Sequence, residues 1–262
     1  MPQKAKLGQN FLADRGARVR IVEALGSISD KTVVEIGPGK AAITEILAQK
    51  TSRLIVIELD RELAASLRER FAEPSVRVIE QDILTVDLAS LRESDEKLLV
   101  VGNLPYYITS DILLHLFRYH DAISRAVIMM QREVADRVAA TPGTRDYGLL
   151  SATTQLYARV EKLLTLPPAA FSPPPQVHSS VLRLTFDPRF DELDIDAEGF
   201  LAFLRQCFAQ KRKTMQNNLR AAGYEPAVIS HAAERAGVSL QARAEALPLE
   251  EAAKLYRALH DK

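Results

Sequence analysis

Short apolar runs alternate with helical patterns along the first half of the chain. Five runs are rich in Val and Ile without alternation of apolar and polar positions, which is typical of strands buried on both faces of a sheet. These runs are Thr32–Ile36, Leu54–Glu58, Val76–Glu80, Leu98–Gly102 and Ala126–Met130. The segments between them with helical spacing are Ile43–Gln49, Arg61–Phe71 and Ser110–Phe117. Alternating strands and helices predict an α/β fold with a doubly wound, mostly parallel sheet.

The pattern changes in the second half of the chain. Gln155–Leu166 and Ser179–Phe186 alternate more regularly and predict an antiparallel pair at the end of the sheet. From Ala197 onward the pattern is helical. We therefore predict a large α/β domain over residues 1–190 and a small all-helical domain over residues 191–262.

Composition is that of a folded protein. The 262 residues are 47% hydrophobic, and 34 basic residues balance 34 acidic ones. The N-terminus lacks the apolar stretch of a signal peptide, and no run approaches the ~18 apolar residues of a membrane helix. We expect a cytoplasmic protein with no membrane contact. The single cysteine, Cys207, cannot form an internal disulfide, and the five histidines lack zinc-binding spacing, so no metal is expected.

The zero net charge hides three charged segments. Residues 1–20 carry five basic residues and one acid, a net charge of +4. Residues 186–199 carry six acids and one arginine, a net charge of −5, whereas residues 201–223 carry five basic residues and no acid. An uneven distribution of this kind is compatible with a nucleic-acid partner, because the location of charge matters as well as its sum.

Lys211, Arg212 and Lys213 form a basic cluster in the third segment. The preceding apolar positions predict one helix that packs on a core and exposes the cluster. These positions are Phe203, Leu204, Cys207 and Phe208. Phosphate contact is the natural use of such a cluster, and a merely solvated face is the alternative.

The first predicted strand runs into a glycine turn that opens a helix. Gly37 to Ala42 satisfies the G-x-G-x-x-G/A form, and such glycines permit close backbone approach to a ligand. Glu58 ends the next predicted strand, where a carboxylate suits a ribose diol. Asp82, at the end of the third predicted strand, adds a further polar group to the same sheet edge. Taken alone, the turn fits a nicotinamide cofactor, an adenosyl cofactor or a plain strand–helix connection.

The fourth predicted strand ends in Asn103, Leu104, Pro105 and Tyr106, which match the Asn/Asp-Pro-Pro-Tyr pattern of methyltransferases acting on planar amines. An adenine amine is a poor nucleophile because its lone pair is delocalised into the ring. The Asn103 side-chain oxygen and the Leu104 carbonyl can accept its two hydrogens, while Pro105 restricts Leu104 to extended conformations. Tyr106 offers a face for a flipped base. Turn formation and core packing are the alternative roles.

A proline-rich loop joins the two strands of the predicted antiparallel pair. Residues 171–177 read Phe-Ser-Pro-Pro-Pro-Gln-Val. A loop of prolines loses little entropy when it presents Phe171 to a base. Considered alone, the same loop fits a connector whose Phe171 packs in the core.

Together these motifs resemble the ribosomal RNA adenine dimethyltransferases, specifically the KsgA (RsmA) small-subunit branch, over about residues 7–256. The motifs are Gln9 to Leu12, Glu35 to Gly39, Glu58, Gln81-Asp82, Asn103 to Tyr106, Gln131 to Ala135, Tyr147-Gly148 and Phe171 to Val177. The resemblance implies S-adenosylmethionine as cofactor and dimethylation of two adjacent adenosines near the 3′ end of 16S rRNA in the assembling small subunit. The Phe208–Thr214 stretch favours this branch over the 23S rRNA methylases of antibiotic resistance. A non-catalytic RNA-binding assembly factor is a further alternative, and we expect a monomer.

The resemblance also implies individual roles. The cofactor would be bound by Asn10, Leu12, Gly37, Gly39, Glu58, Asp82 and Asn103. The target base would be held by Asn103, Leu104, Pro105, Tyr106 and Phe171, and RNA by Lys211, Arg212 and Lys213. Two residues depart from the family pattern: Ala41 occupies a frequent glycine position and His178 a frequent aspartate position.

Overall fold

A computed structural model describes residues 10–71 and 76–260 of the chain. Lys4, Lys6 and Gln9, which belong to the basic N-terminal segment and the first motif of the sequence analysis, lie outside these residues.

The chain divides into two compact units. The first contains the residues up to Ala135 together with Arg159–Phe186, and the second contains Asp136–Ala158 and the residues from Asp187 onward. The predicted boundary after residue 190 falls near the last of these divisions, which follows Phe186. The structure also groups residues 136–158 with the C-terminal helices, a connection that is distant in sequence.

A seven-stranded sheet forms the centre of the first unit. Its strands are β2 (Val33–Ile36), β3 (Leu54–Glu58), β4 (Val76–Glu80), β5 (Leu98–Asn103), β6 (Ile123–Gln131), β7 (Ala158–Leu166) and β9 (Ser179–Phe186). They lie in the order β4-β3-β2-β5-β6-β9-β7. The first five are parallel, and β9 runs antiparallel to β6. The predicted doubly wound, mostly parallel sheet is confirmed.

A separate short pair lies outside this sheet. Strand β1 (Phe11–Leu12) runs antiparallel to β8 (Phe171–Ser172), with Leu12 opposite Phe171. The pair ties the start of the described chain to the proline-rich loop.

The helices of the first unit connect its strands. They are α1 (Arg15–Glu23), α2 (Thr44–Leu47), α3 (Arg61–Arg70), α4 (Thr109–Arg118) and α5 (Arg132–Val138), the last of which crosses into the second unit. Helix α3 begins where Asp60 accepts hydrogen bonds from the backbone N–H groups of Glu62 and Leu63. Helix α1 was not predicted, because its few apolar positions are interspersed with arginines.

Close packing of β2 against β5 requires Gly102. Every residue of β2 is buried, and a Cβ atom built on Gly102 would lie 2.8 Å from the Ile36 carbonyl oxygen. The absence of a side chain therefore allows the carboxyl ends of these neighbouring strands to approach each other. Asn103 follows directly at that end of β5.

The second unit is helical. It contains α6 (Leu149–Tyr157), α7 (Phe190–Leu193), α8 (Ala197–Cys207), α9 (Met215–Ala221), α10 (Pro226–Ala236) and α11 (Leu249–His260). The rings of Phe200, Phe203 and Tyr256 pack together, with centroids 5.5–6.2 Å apart. None of the helices among the described residues is long and apolar enough to cross a bilayer.

Two predicted element boundaries in this region were wrong. Residues 155–157 end α6 rather than beginning a strand, and the basic cluster lies in the turn between α8 and α9 rather than in a helix. The apolar positions before the cluster are nevertheless helical up to Cys207, which is 2% exposed.

Candidate active site

A cleft open to solvent, about 1130 Å³ with the solvent space at its mouth included, lies at the carboxyl ends of β2, β3, β4 and β5. It is lined by predicted cofactor-binding and base-binding residues from several separate motifs. These are Asn10, Leu12, Gly37, Gly39, Glu58, Asp82, Asn103, Leu104, Pro105 and Tyr106. The carboxyl ends of parallel strands meet at one edge of a sheet, so the fold brings these motifs together.

The glycine turn presents its backbone to the cleft. Gly37 and Gly39 have φ values of +64° and +56°, which favour glycine, and the Gly37 N–H donates to the Ile57 carbonyl oxygen at 2.9 Å. A Cβ atom on Gly39 would lie 2.9 Å from the Phe11 ring, so β1 packs directly on the turn. Ala41 also adopts a positive φ of +66°. This conformation costs an alanine about 1 kcal/mol of backbone strain, which a glycine would avoid.

Glu58 joins β3 to the glycine turn. Its Oε2 accepts a hydrogen bond from the Gly39 N–H at 3.1 Å, and its Oε1 accepts one from the Asp60 N–H at 2.9 Å. Burial raises the pKa of this carboxyl, while the backbone hydrogen bonds oppose the rise. The two bonds fix the orientation of the carboxylate at the cleft wall.

Asp82 is oriented in a similar way at the end of the neighbouring strand. Its Oδ1 accepts a hydrogen bond from the Leu84 N–H at 2.9 Å and so begins a short 3-10 turn. The carboxylate is held beside the cleft that it lines.

Glu35 is a lining residue to which sequence reasoning gave no role. It is 2% exposed, and the Thr44 hydroxyl donates to its Oε2 at 2.7 Å. Burial raises the pKa of Glu35 to about 8, and the nearby Glu58 adds to the rise. The sequence indicates an unusual position here, because Glu35 is the one acidic residue in a strand whose other residues are all apolar.

The Glu35→Gln substitution is expected to flatten the dependence of stability on pH. Because the folded-state pKa of about 8 exceeds the ordinary value of 4.5, the folded chain binds the proton more tightly than the unfolded chain. The stabilisation is complete below about pH 4.5 and is lost as the pH rises to about 8, a change of roughly 4–5 kcal/mol. Urea unfolding of both proteins from pH 5 to pH 8.5 measures the difference. If the free energy of unfolding depended on pH in the same way for both proteins, the pH dependence could not be assigned to Glu35.

The side chain of Asn103 is held by the backbone of Asn10, a residue that also lines the cleft. Nδ2 of Asn103 donates to the Asn10 carbonyl oxygen at 3.1 Å, which fixes the orientation of the side-chain amide. The amide nitrogen is therefore committed to the protein, and the amide oxygen is the atom suited to accept a hydrogen from a substrate amine.

The rest of this loop is anchored to buried structure. The Leu104 N–H donates to the Met129 carbonyl oxygen at 2.9 Å, and the buried Thr109 hydroxyl donates to the Pro105 carbonyl oxygen at 3.0 Å. The hydroxyl groups of Tyr106 and Ser179 form a hydrogen bond with 2.9 Å between their oxygen atoms. A loop fixed at so many points can present its polar atoms in one geometry.

The structure differs from the sequence prediction at Phe171. Its side chain is 4% exposed and belongs to the hydrophobic core around Leu12, and it is absent from the lining of the cleft. The physical reason is the β1–β8 pairing, which sets Phe171 opposite Leu12. The ring therefore packs in the core and does not line the cleft, and its contact with a target base stays a prediction.

The basic cluster of the second unit is presented by a braced turn. Asn218 is 2% exposed, and its amide accepts from the Gln210 N–H at 3.0 Å and donates to the Gln210 carbonyl at 3.3 Å. Lys211 donates to the Arg145 carbonyl oxygen at 3.2 Å, while Arg212 and Lys213 are exposed.

The described residues contain no group of three or more His, Cys, Asp or Glu side chains that could hold a metal ion.

The fold and the cleft together define the chain as a Rossmann-like methyltransferase, since an Asn-Leu-Pro-Tyr loop beside the glycine turn suits amine methylation and serves no purpose in hydride transfer. Residues 2–261 match the family model described as "Ribosomal RNA adenine dimethylase". The chain belongs to this family.

Two relatives of high sequence identity support this assignment. The chain is 66% identical to the "Ribosomal RNA small subunit methyltransferase A" of Acidobacterium capsulatum, covering 99% of this chain and 92% of the relative. It is 56% identical to the protein of the same name from Koribacter versatilis, with coverage of 98% and 94%.

Two solved structures share the fold over nearly the whole chain. A dimethyladenosine transferase from Plasmodium falciparum matches with a TM-score of 0.76 at 22% identity, covering 94% of this chain and 95% of that one. The 23S rRNA methyltransferase ErmE matches with a TM-score of 0.72 at 28% identity, with coverage of 95% and 99%.

Proposed function

We propose that the chain uses S-adenosylmethionine to dimethylate the exocyclic amines of two adjacent adenosines near the 3′ end of 16S rRNA, in the assembling small ribosomal subunit. The observation that carries the proposal is the anchored Asn103–Tyr106 loop, which lies at one cleft with the glycine turn and Glu58. The names of the small-subunit relatives support the choice of RNA.

The cleft residues fit the adenosyl cofactor. Gly37 and Gly39 both line the cleft, and their backbone would face the amino-acid end of the cofactor. Asn10 and Leu12 would contact the cofactor from β1, Glu58 would bind the ribose hydroxyls, and Asp82 would bind the adenine amine. When bound, S-adenosylmethionine supplies an electrophilic methyl group.

The remaining chemistry concerns the target amine. The Asn103 amide oxygen and the Leu104 carbonyl would accept its two hydrogens, which draws the nitrogen toward pyramidal geometry and makes its lone pair more available. Pro105 would keep Leu104 extended, and Tyr106 would stack on the base. The amine proton would leave to water, because methylation makes the nitrogen cationic and therefore acidic.

The two predicted domains would divide this work. We assign methyl transfer to residues 1–190 and RNA binding to residues 191–262, with Lys211, Arg212 and Lys213 as phosphate contacts. We also propose that the protein acts in the cytoplasm as a monomer, consistent with a substrate that is itself a large particle.

Neutralising the cluster by Lys211→Gln, Arg212→Gln and Lys213→Gln is expected to weaken binding to the small subunit. The slope of log affinity against log salt should fall by up to about 2, because each phosphate that a basic side chain neutralises adds about 0.7 to it. Because Lys211 already donates to Arg145, the Arg212→Gln, Lys213→Gln double variant should retain most of this effect. Filter binding at several salt concentrations measures the slope, with cofactor affinity as the control. An unchanged slope would assign the cluster to a merely solvated surface.

A second candidate is methylation of 23S rRNA, which the match to ErmE over 95% of the chain favours. The deciding experiment incubates the protein and labelled S-adenosylmethionine with unmethylated small subunits or with protein-free 23S rRNA. Mass spectrometry then identifies the modified nucleosides. Dimethyladenosine in 16S rRNA is the expected product; modification of 23S rRNA alone would select the second candidate, and no product from either RNA would overturn the enzymatic proposal.

A further inference from the structure

Ser179 is a buried hydroxyl next to the candidate active site that no sequence motif singled out. It is the first residue of β9, is 0% exposed and pairs in register with Gln131 of β6. Its Oγ lies 2.9 Å from the hydroxyl oxygen of Tyr106. The strand backbone therefore fixes the serine, and the serine in turn contacts the aromatic residue of the Asn-Leu-Pro-Tyr loop.

The backbone around Ser179 is itself constrained. The preceding residue, His178, accepts a hydrogen bond at its carbonyl oxygen from the Arg132 N–H at 2.9 Å. Because β9 is an interior strand of the sheet, it is hydrogen-bonded on both sides. The backbone that carries the Ser179 hydroxyl is consequently fixed, and a hydrogen bond to this hydroxyl can restrain the ring of Tyr106.

Tyr106 needs such an attachment. It is only partly buried, begins the short 3-10 turn after Pro105 and lines the cleft. A tyrosine ring that is free at its hydroxyl end can tilt about its side-chain torsions. Stacking on a planar base requires one ring orientation, which a hydrogen bond at the hydroxyl provides at the far end of the ring.

We propose that Ser179 is a positioning residue for methyl transfer, acting through its hydrogen bond to Tyr106 to hold the ring against the target adenine. This inference rests on the proposed function. Ser179 is shielded from solvent and does not line the cleft, so it cannot contact the substrate directly. Its effect should appear in the rate of transfer and leave cofactor binding unaffected.

The test compares Ser179→Ala, Tyr106→Phe and the double variant in methylation of unmethylated small subunits. Each single variant should lower kcat about fivefold to tenfold, the range for loss of one hydrogen bond. The double variant should be no slower than either single variant, because both remove the same bond. The dissociation constant of S-adenosylmethionine, measured by calorimetry, should be unchanged.

Two further variants separate positioning from loss of fold. Ser179→Thr keeps the hydroxyl and should restore most of the rate. Ser180→Ala is the matched control, because Ser180 is also 0% exposed and its hydroxyl bonds Thr165 at 3.0 Å, away from the loop; it should methylate normally.

The outcomes distinguish this inference from the proposed function. An unmodified chain that fails to methylate small subunits would overturn the function and the inference together. If the unmodified chain is active, then full activity of Ser179→Ala, additive losses in the double variant, or an equal loss in Ser180→Ala would overturn the inference alone.

Discussion

The Asn103→Ala variant is expected to lose at least a hundredfold in the single-turnover rate of methyl transfer, about 3 kcal/mol of transition-state stabilisation. The estimate follows from the usual cost of removing one preorganised hydrogen-bonding group from a reacting centre. Nδ2 of Asn103 is held by the Asn10 carbonyl, so the side-chain oxygen is preorganised before substrate binds. Rapid-quench assays with excess enzyme and unmethylated small subunits measure the step directly.

Two comparisons keep this result specific. Asn103→Asp retains an acceptor oxygen and should keep more activity than Asn103→Ala, although it loses the donor to Asn10. The dissociation constant of the cofactor, measured for each variant, shows how much of any loss in methyl-transfer rate is due to weaker cofactor binding. Near-normal transfer by Asn103→Ala with intact cofactor binding would remove Asn103 from its proposed role.

The central strands of the sheet could be predicted from sequence because they are buried on both faces, as every residue of Leu54–Glu58 is. Val76–Glu80 also has its predicted bounds, although it is an edge strand in which only Val76 is buried. The polar residues at those ends could be grouped for the same reason, since parallel topology brings successive strand ends to one edge. The agreement thus reflects local sequence combined with a strong topological rule.

The features that were missed depend on contacts distant in sequence. Phe171 is placed by its pairing with β1, about 160 residues earlier, and a proline-rich loop alone does not encode that partner. The basic cluster lies in a turn and not in a helix, because the Asn218 side chain is hydrogen-bonded to the backbone of Gln210. The spacing of apolar residues does not reveal this contact. Glu35 lay in a recognised motif, but only the burial imposed by the sheet raises its pKa and sets it apart from an ordinary surface acid.

The Glu58→Gln variant is expected to bind S-adenosylhomocysteine about tenfold to a hundredfold more weakly. Hydrogen bonds to a charged group contribute about 1.5–3 kcal/mol, and the carboxylate would accept from the ribose hydroxyls while it also binds the Gly39 and Asp60 N–H groups. A glutamine has one oxygen, so its NH₂ group would face one of these backbone donors. Isothermal calorimetry measures the change in affinity.

Glu80 provides the matched control, because it lies opposite Glu58 in the register of β3 and β4 but pairs with Arg68 and does not line the cleft. Glu80→Gln should therefore bind the ligand normally. A 2′-deoxy analogue sharpens the test: it should bind the unmodified chain more weakly than the parent ligand, whereas Glu58→Gln should discriminate far less between the two. Equal discrimination by both proteins would mean that Glu58 does not hold the ribose and that its carboxylate serves only to join β3 to the glycine turn.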